Sequence, residues 1–115
     1  MKVEKFEDLF FWQRAKELTL SVYSIFKDNK DFRFRDQIQA ASISIMNNIA
    51  EGFERRSNKE FSYFLNVAKG SSAEVRSMLY IAKELDYISE QQFDDLYNKI
   101  VEISKLIFSF NKTLN

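Results

Sequence analysis

The amino-acid sequence predicts an all-α fold, an antiparallel up-down-up-down four-helix bundle, on three observations. Proline is absent and glycine occurs only twice in 115 residues, so little in the chain interrupts a helix. Four segments carry apolar residues at helical spacing, and the links between them are short and polar. Short links place consecutive helices side by side and antiparallel, which gives a rod about 30 to 40 Å long. The length suits one domain over residues 1–115, with helices at about 8–27, 34–54, 58–86 and 90–113.

In the first segment Phe11, Ala15, Leu18, Val22 and Ile25 form the apolar stripe, and Trp12, Tyr23 and Phe26 widen it on one side. The polar link "DNKDF" then supplies Asp and Asn turn chemistry. In the second segment Phe34, Ile38, Ala41, Ile45, Ile49 and Gly52 make one seam. Ile43, Met46, Ala50 and Phe53 lie on an adjoining arc, about 100° or more around the helix. One bundle interior is not expected to bury both arcs, so the sequence points to cover from a second copy of the chain.

Ser57 and Glu60 have the spacing of a capping box and open the third helix. Its seam is Phe61, Phe64, Leu65, Ala68, Ser72, Val75, Leu79 and Ala82, with Val67, Met78, Ile81 and Leu85 on a second apolar edge. Gly70 interrupts this helix at up to about 1 kcal/mol relative to alanine, so a close-packed neighbour or a kink is expected there. Ser89 and Gln92 repeat the capping spacing at the fourth helix. Phe93, Ile100, Ile107 and Leu114 then fall seven apart, with Leu96, Ile103 and Phe110 between them, a coiled-coil-like seam.

Charge and composition exclude several functions. Seventeen basic and 17 acidic side chains cancel, so a contact with nucleic acid must come from a local cluster. Histidine and cysteine are both absent, which removes imidazole and thiol catalysis, disulfides and the usual zinc sites. A di-iron carboxylate bundle needs Glu-x-x-His pairs that this chain lacks. Glu51 and Glu54 stand at i and i+3, a spacing that suits paired acid-base work, but both fall on the polar side and read as solvated carboxylates. With no phosphate-binding or nucleophile motif either, the chain is expected to be no enzyme and to use no cofactor, metal or small-molecule substrate. No apolar run approaches the roughly 20 residues that span a bilayer, and "MKVEKFEDLF" has acids where a signal peptide has its apolar core. A cytoplasmic protein is the expectation.

The stretch "SIMNNIAEGFERRSNKEF" gathers the candidate site residues. Asn48 borders the apolar seam, where an amide either fixes register across a helix interface or contacts a ligand. Arg55, Arg56 and Lys59 form the dense basic cluster. They can complement the dipole at the end of the second helix, or bind phosphate where a basic turn meets the next helix N-terminus. The 12 phenylalanines are assigned mainly to the core rather than to base stacking.

Phe6, Leu9, Trp12, Gln13 and Ala15, then Val22-Tyr23, then Ser44-Ile45, Asn48-Ile49-Ala50-Glu51-Gly52, Arg55, Ser57, Glu60-Phe61, Phe64-Leu65, Ala68, Gly70-Ser71, Glu74 and Tyr87-Ile88 stand in a recognisable order. The pattern resembles the four-helix bundle proteins encoded in intervening sequences of bacterial 23S rRNA genes, over residues 6–88. It is more distantly similar to the accessory protein of diversity-generating retroelements, whose pentameric barrel engages nucleic acid and a reverse transcriptase through a basic surface. The resemblance implies a homo-oligomer, typically a pentamer. Family members often have two arginines where this chain has Gln39 and Ala40, proline at Met46, serine at Asn47 and glycine at Asp86. The first departure removes two charges from the second helix and lowers the nucleic-acid affinity expected of it.

Together these features point to a self-assembling helical scaffold or accessory protein that contacts RNA or DNA through Arg55, Arg56 and Lys59. Ile43, Met46, Asn48, Ala50, Glu51, Gly52 and Phe53 are the expected structural and interface residues, with Ser44 and Ser71 in support. The alternative is a protein-interaction module with no nucleic-acid role.

Overall fold

The computed structural model describes residues 3–115, and these form an antiparallel up-down-up-down four-helix bundle. The helices are α1 (Phe10–Phe26), α2 (Phe32–Phe53), α3 (Asn58–Glu84) and α4 (Glu90–Lys112). A one-turn 3-10 helix, Phe6–Asp8, precedes them. Helix α1 packs on α2 and α4, and α3 packs on the same two, so α1 and α3 stand on one diagonal. The body measures 43 × 22 × 19 Å.

Each start and stop has a local cause. Asp31 caps α2 by accepting from the Phe34 amide at 3.2 Å, which starts the helix two residues ahead of the expected Phe34. At Ser89 both halves of the capping box are present. At Ser57 only one half follows the expected pattern. The hydroxyl accepts from the Glu60 amide at 3.1 Å, but the Glu60 carboxylate accepts from that hydroxyl instead of reaching the Ser57 amide. Helix α1 begins after Leu9, whose extended backbone brings no side-chain cap, and neither this start nor the preceding turn carries a sequence signal.

Helix α3 stops through its backbone. The Tyr87 amide donates to the Ala82 carbonyl at 2.8 Å and the Asp86 amide to the Lys83 carbonyl at 3.1 Å, the two bonds of a Schellman motif. That motif needs a left-handed residue, and Asp86 occupies it with φ 60°. Here the chain uses aspartate where the family resemblance leads one to expect glycine.

The core follows the expected seams. Phe61, Leu65, Ala68, Ser72, Val75, Leu79 and Ala82 of α3 are buried, as are Phe93, Leu96, Ile100, Ile103 and Ile107 of α4. Fully burying each large side chain contributes about 1.5–3 kcal/mol. Two polar residues that the apolar pattern does not reveal are also buried, and both are satisfied. The Thr19 hydroxyl donates to the carbonyls of Ala15 and Ser42, and the Ser42 hydroxyl to that of Gln39. At one end, Phe11, Phe110, Phe61 and Phe53 form a chain of ring contacts with centroids 5.1–5.9 Å apart.

Three details differ from the sequence expectation. Tyr23 faces solvent rather than widening the buried stripe. Met46, Phe53 and Met78 pack partly against the core, so the bundle absorbs more of the second arcs than helical periodicity allows for. Gly70 has no neighbour: a Cβ built there would meet nothing within 4 Å.

Candidate functional site

The α2–α3 corner holds the three candidate cations, and the structure divides them. The Arg55 guanidinium lies 2.9 Å from the Glu51 carboxylate, one turn back on α2, and stacks 4.7 Å from the centre of the Phe64 ring on α3. It is therefore engaged in joining two helices. Arg56 and Lys59 are exposed, and among the described residues neither has an ion-pair partner. Glu51 thus pairs along its own helix, and no contact across to another copy is required of it.

The polar candidates converge on the seam between α2 and α3. The Ser44 and Ser71 hydroxyls are 2.9 Å apart, and the Asn48 amide donates to the Ser44 carbonyl at 2.8 Å and to its hydroxyl at 3.0 Å. Further along, the Gln37 amide donates to Glu74 at 3.2 Å. Gly52 marks the tightest approach. A Cβ there would sit 2.8 Å from the Phe64 Cβ and 2.9 Å from Phe61 Cδ1. The Asn48 amide therefore bonds within α2, the hydroxyls of Ser44 and Ser71 make the contact across to α3, and Gly52 allows the close α2–α3 spacing inside one chain.

Outside that seam an apolar ridge remains. Tyr63 and Val67, then Ile81 and Leu85, are exposed on one face of α3, with Gly70 and the exposed carboxylate of Glu74 between the two pairs, and Ile81 and Leu85 are 51% and 52% exposed. Gly70 presents open space. Ile43 of α2 is also exposed, while Ala50 is half-buried.

The cleft between α1 and α4 gathers charges, and among the described residues those lining it are paired. Arg14 pairs with Glu17 at 3.0 Å and Glu102 at 3.1 Å, and Lys99 pairs with Asp95 at 2.9 Å. Hydrogen bonds to Glu17 and Glu102 push the Arg14 guanidinium above its ordinary value.

The opposite groove, between α3 and α4, contains residues that the sequence pattern assigned to core or solvent. Phe108 is 48% exposed, and the ammonium groups of Lys69 and Lys112 lie 4.6 and 4.5 Å from the centre of its ring. Periodicity alone does not find this cluster, because it depends on how α3 and α4 are registered against each other.

Among the described residues, no group of three or more acidic side chains is placed to hold a metal ion, and no helix is long and apolar enough to cross a membrane. Residues 7–109 match the family model for 23S rRNA-intervening sequence proteins. A crystal structure of a protein of unknown function from the S23 ribosomal protein family of Bacteroides thetaiotaomicron superposes with a TM-score of 0.83. It is 26% identical, and the match covers 89% of this chain and 98% of that one. None of the curated proteins matches.

Proposed function

The chain belongs to the 23S rRNA-intervening sequence protein family, and from that membership we propose that it is a non-enzymatic, self-assembling helical scaffold or accessory protein that contacts RNA or DNA at its α2–α3 turn. The apolar ridge of α3 carries the assembly part. Tyr63 and Val67 on one side of Glu74, and Ile81 and Leu85 on the other, leave hydrocarbon in water, and Gly70 opens a gap beside Val67 where a neighbouring backbone can approach. A closed ring of copies, five by the family resemblance, covers such a row without leaving a free edge.

Arg56 and Lys59 supply the phosphate contacts, with Arg55 in support. Exposed and unpaired among the described residues, Arg56 and Lys59 need break no ion pair to meet a phosphate. Among the described residues, the charges of the α1–α4 cleft pair with one another. Cytoplasmic residence fits this role.

Salt-dependent binding tests the proposal. Replacing Arg55, Arg56 and Lys59 together by alanine is expected to flatten the slope of log affinity against log salt by about 2 to 3 units. Absence of RNA or DNA binding at about 50 mM salt, or binding unchanged in the triple variant, rejects the nucleic-acid part. The second reading, a protein-interaction module without nucleic acid, is favoured by the pairing of Arg55 with Glu51, and it then stands alone.

A further inference from the structure

The α3–α4 groove combines an exposed aromatic ring with unpaired positive charge. Phe108 is 48% exposed; Phe10 and Phe32 are exposed too, but the arginines over their rings, Arg14 and Arg35, are already paired with carboxylates. The ammonium groups of Lys69 and Lys112 share its ring, and Lys105 lines the same groove together with Ser104 and Ser109. Among the described residues none of these three lysines has an ion-pair partner. Residues 61–73 and 103–115, which form the walls, contain no acidic side chain. A chain with no net charge therefore has a positive strip here.

We propose that this groove binds single-stranded RNA or DNA, with Phe108 stacking one unpaired base and Lys69, Lys105 and Lys112 holding the flanking phosphates. An open depression of about 440 Å³ lies beside the ring, and it continues past Lys69 and Ser104 into a narrower cleft that reaches Arg76. Cations along a groove and an aromatic face within it are the two components of sequence-tolerant single-strand binding. A duplex keeps its base faces stacked inside, so it cannot use the ring. In the free protein the lysines cover Phe108 through cation–π contacts. An arriving base takes the ring face, and a displaced ammonium turns to the adjacent phosphate.

The inference rests on the proposal that the bundle contacts nucleic acid, but it uses a different surface from the α2–α3 turn. The test measures binding of the full chain to an unstructured single-stranded RNA oligonucleotide and to the same sequence as a duplex. Phe108→Leu keeps an apolar side chain but loses the stacking face. It is expected to weaken single-strand binding about ten-fold or more, with duplex binding unchanged, and Phe108→Trp is expected to restore it. Replacing Lys69, Lys105 and Lys112 by alanine is expected to flatten the salt slope by about 2 units, whereas Phe108→Leu leaves the slope as it was. Circular dichroism melting of each variant confirms that the fold survives.

Unchanged single-strand affinity in Phe108→Leu overturns the inference. So does equal loss on single strand and duplex, equal competition by polyglutamate, or a change in oligomeric mass that marks the ring as a contact between copies. Binding that ignores Phe108 but vanishes with Arg55, Arg56 and Lys59 overturns this inference alone. No binding by the unmodified chain overturns both.

Discussion

The hydroxyl of Tyr87 donates a 2.6 Å hydrogen bond to Oδ2 of Asp31, so the turn that ends α3 is tied to the cap that starts α2. Asp31 Oδ1 accepts from the Phe34 amide, and the Phe34 ring meets Tyr87 edge to face at 5.3 Å. One carboxylate thereby serves two loops at the same end of the bundle. The Tyr87 hydroxyl, followed by the Phe34 amide, holds the Asp31 carboxyl below its ordinary value, while the bond to Asp31 and then burial raise the Tyr87 phenol.

The sign of the pH dependence follows. A depressed carboxyl contributes stability that is complete above its ordinary value, near 3.9, and is lost as pH falls through the depressed one. A raised phenol contributes stability that is complete below about 10 and is lost as pH rises through its raised value. Tyr87→Phe is therefore expected to lower the melting temperature at pH near 7, by an amount that shrinks toward pH 2. Melting curves across that range check this, and an equal deficit at both ends contradicts it.

Gly52→Ala is expected to destabilise the protein by about 1–3 kcal/mol, because the new methyl meets the Cβ of Phe64 at 2.8 Å and the Phe61 carbonyl at 3.3 Å. Neither contact is the free end of a flexible side chain, so α2 and α3 must move apart. Urea unfolding measures the loss.

Gly70→Ala is expected to act in the opposite direction on the subunit. The site is open, so alanine adds helix propensity of up to about 1 kcal/mol at no steric cost within one chain. If a neighbouring copy packs there, Gly70→Leu still folds but lowers the assembled mass. A Gly70→Leu protein that assembles like the parent contradicts the placement of the contact at this point.

Asp86→Gly is expected to stabilise the α3–α4 turn by about 1 kcal/mol, since a φ of 60° strains an L-residue and glycine adopts it freely. Both Schellman bonds use backbone groups and survive the change. Thermal melting decides: an unchanged or lower midpoint means that the aspartate side chain contributes something glycine cannot.

The sequence made legible whatever depends on period within one helix. The seven-residue spacing of Phe93, Ile100 and Ile107 marks a buried seam, and the serine caps at Ser57 and Ser89 mark two helix starts. It left obscure whatever depends on two helices meeting. Met46 and Phe53 lie off the seam of α2, yet they pack partly against the core. Arg55 can be matched with Glu51 from their spacing, but its contact with the Phe64 ring appears only when α3 is placed beside it. Phe108, one residue beyond buried Ile107 and off the α4 seam, joins a cluster only when its ring is seen beside Lys69. Gly70 suggests close packing, and within one chain the space beside it is open.

The central claim is that other copies of the chain cover the α3 ridge, and the solution mass tests it most directly. Size-exclusion chromatography with light scattering is expected to give a multiple of the single-chain mass. Ile81→Glu is expected to return it to one copy with helix content intact. A single-copy mass for the unmodified chain at micromolar concentration, with a melting temperature independent of concentration, contradicts the account.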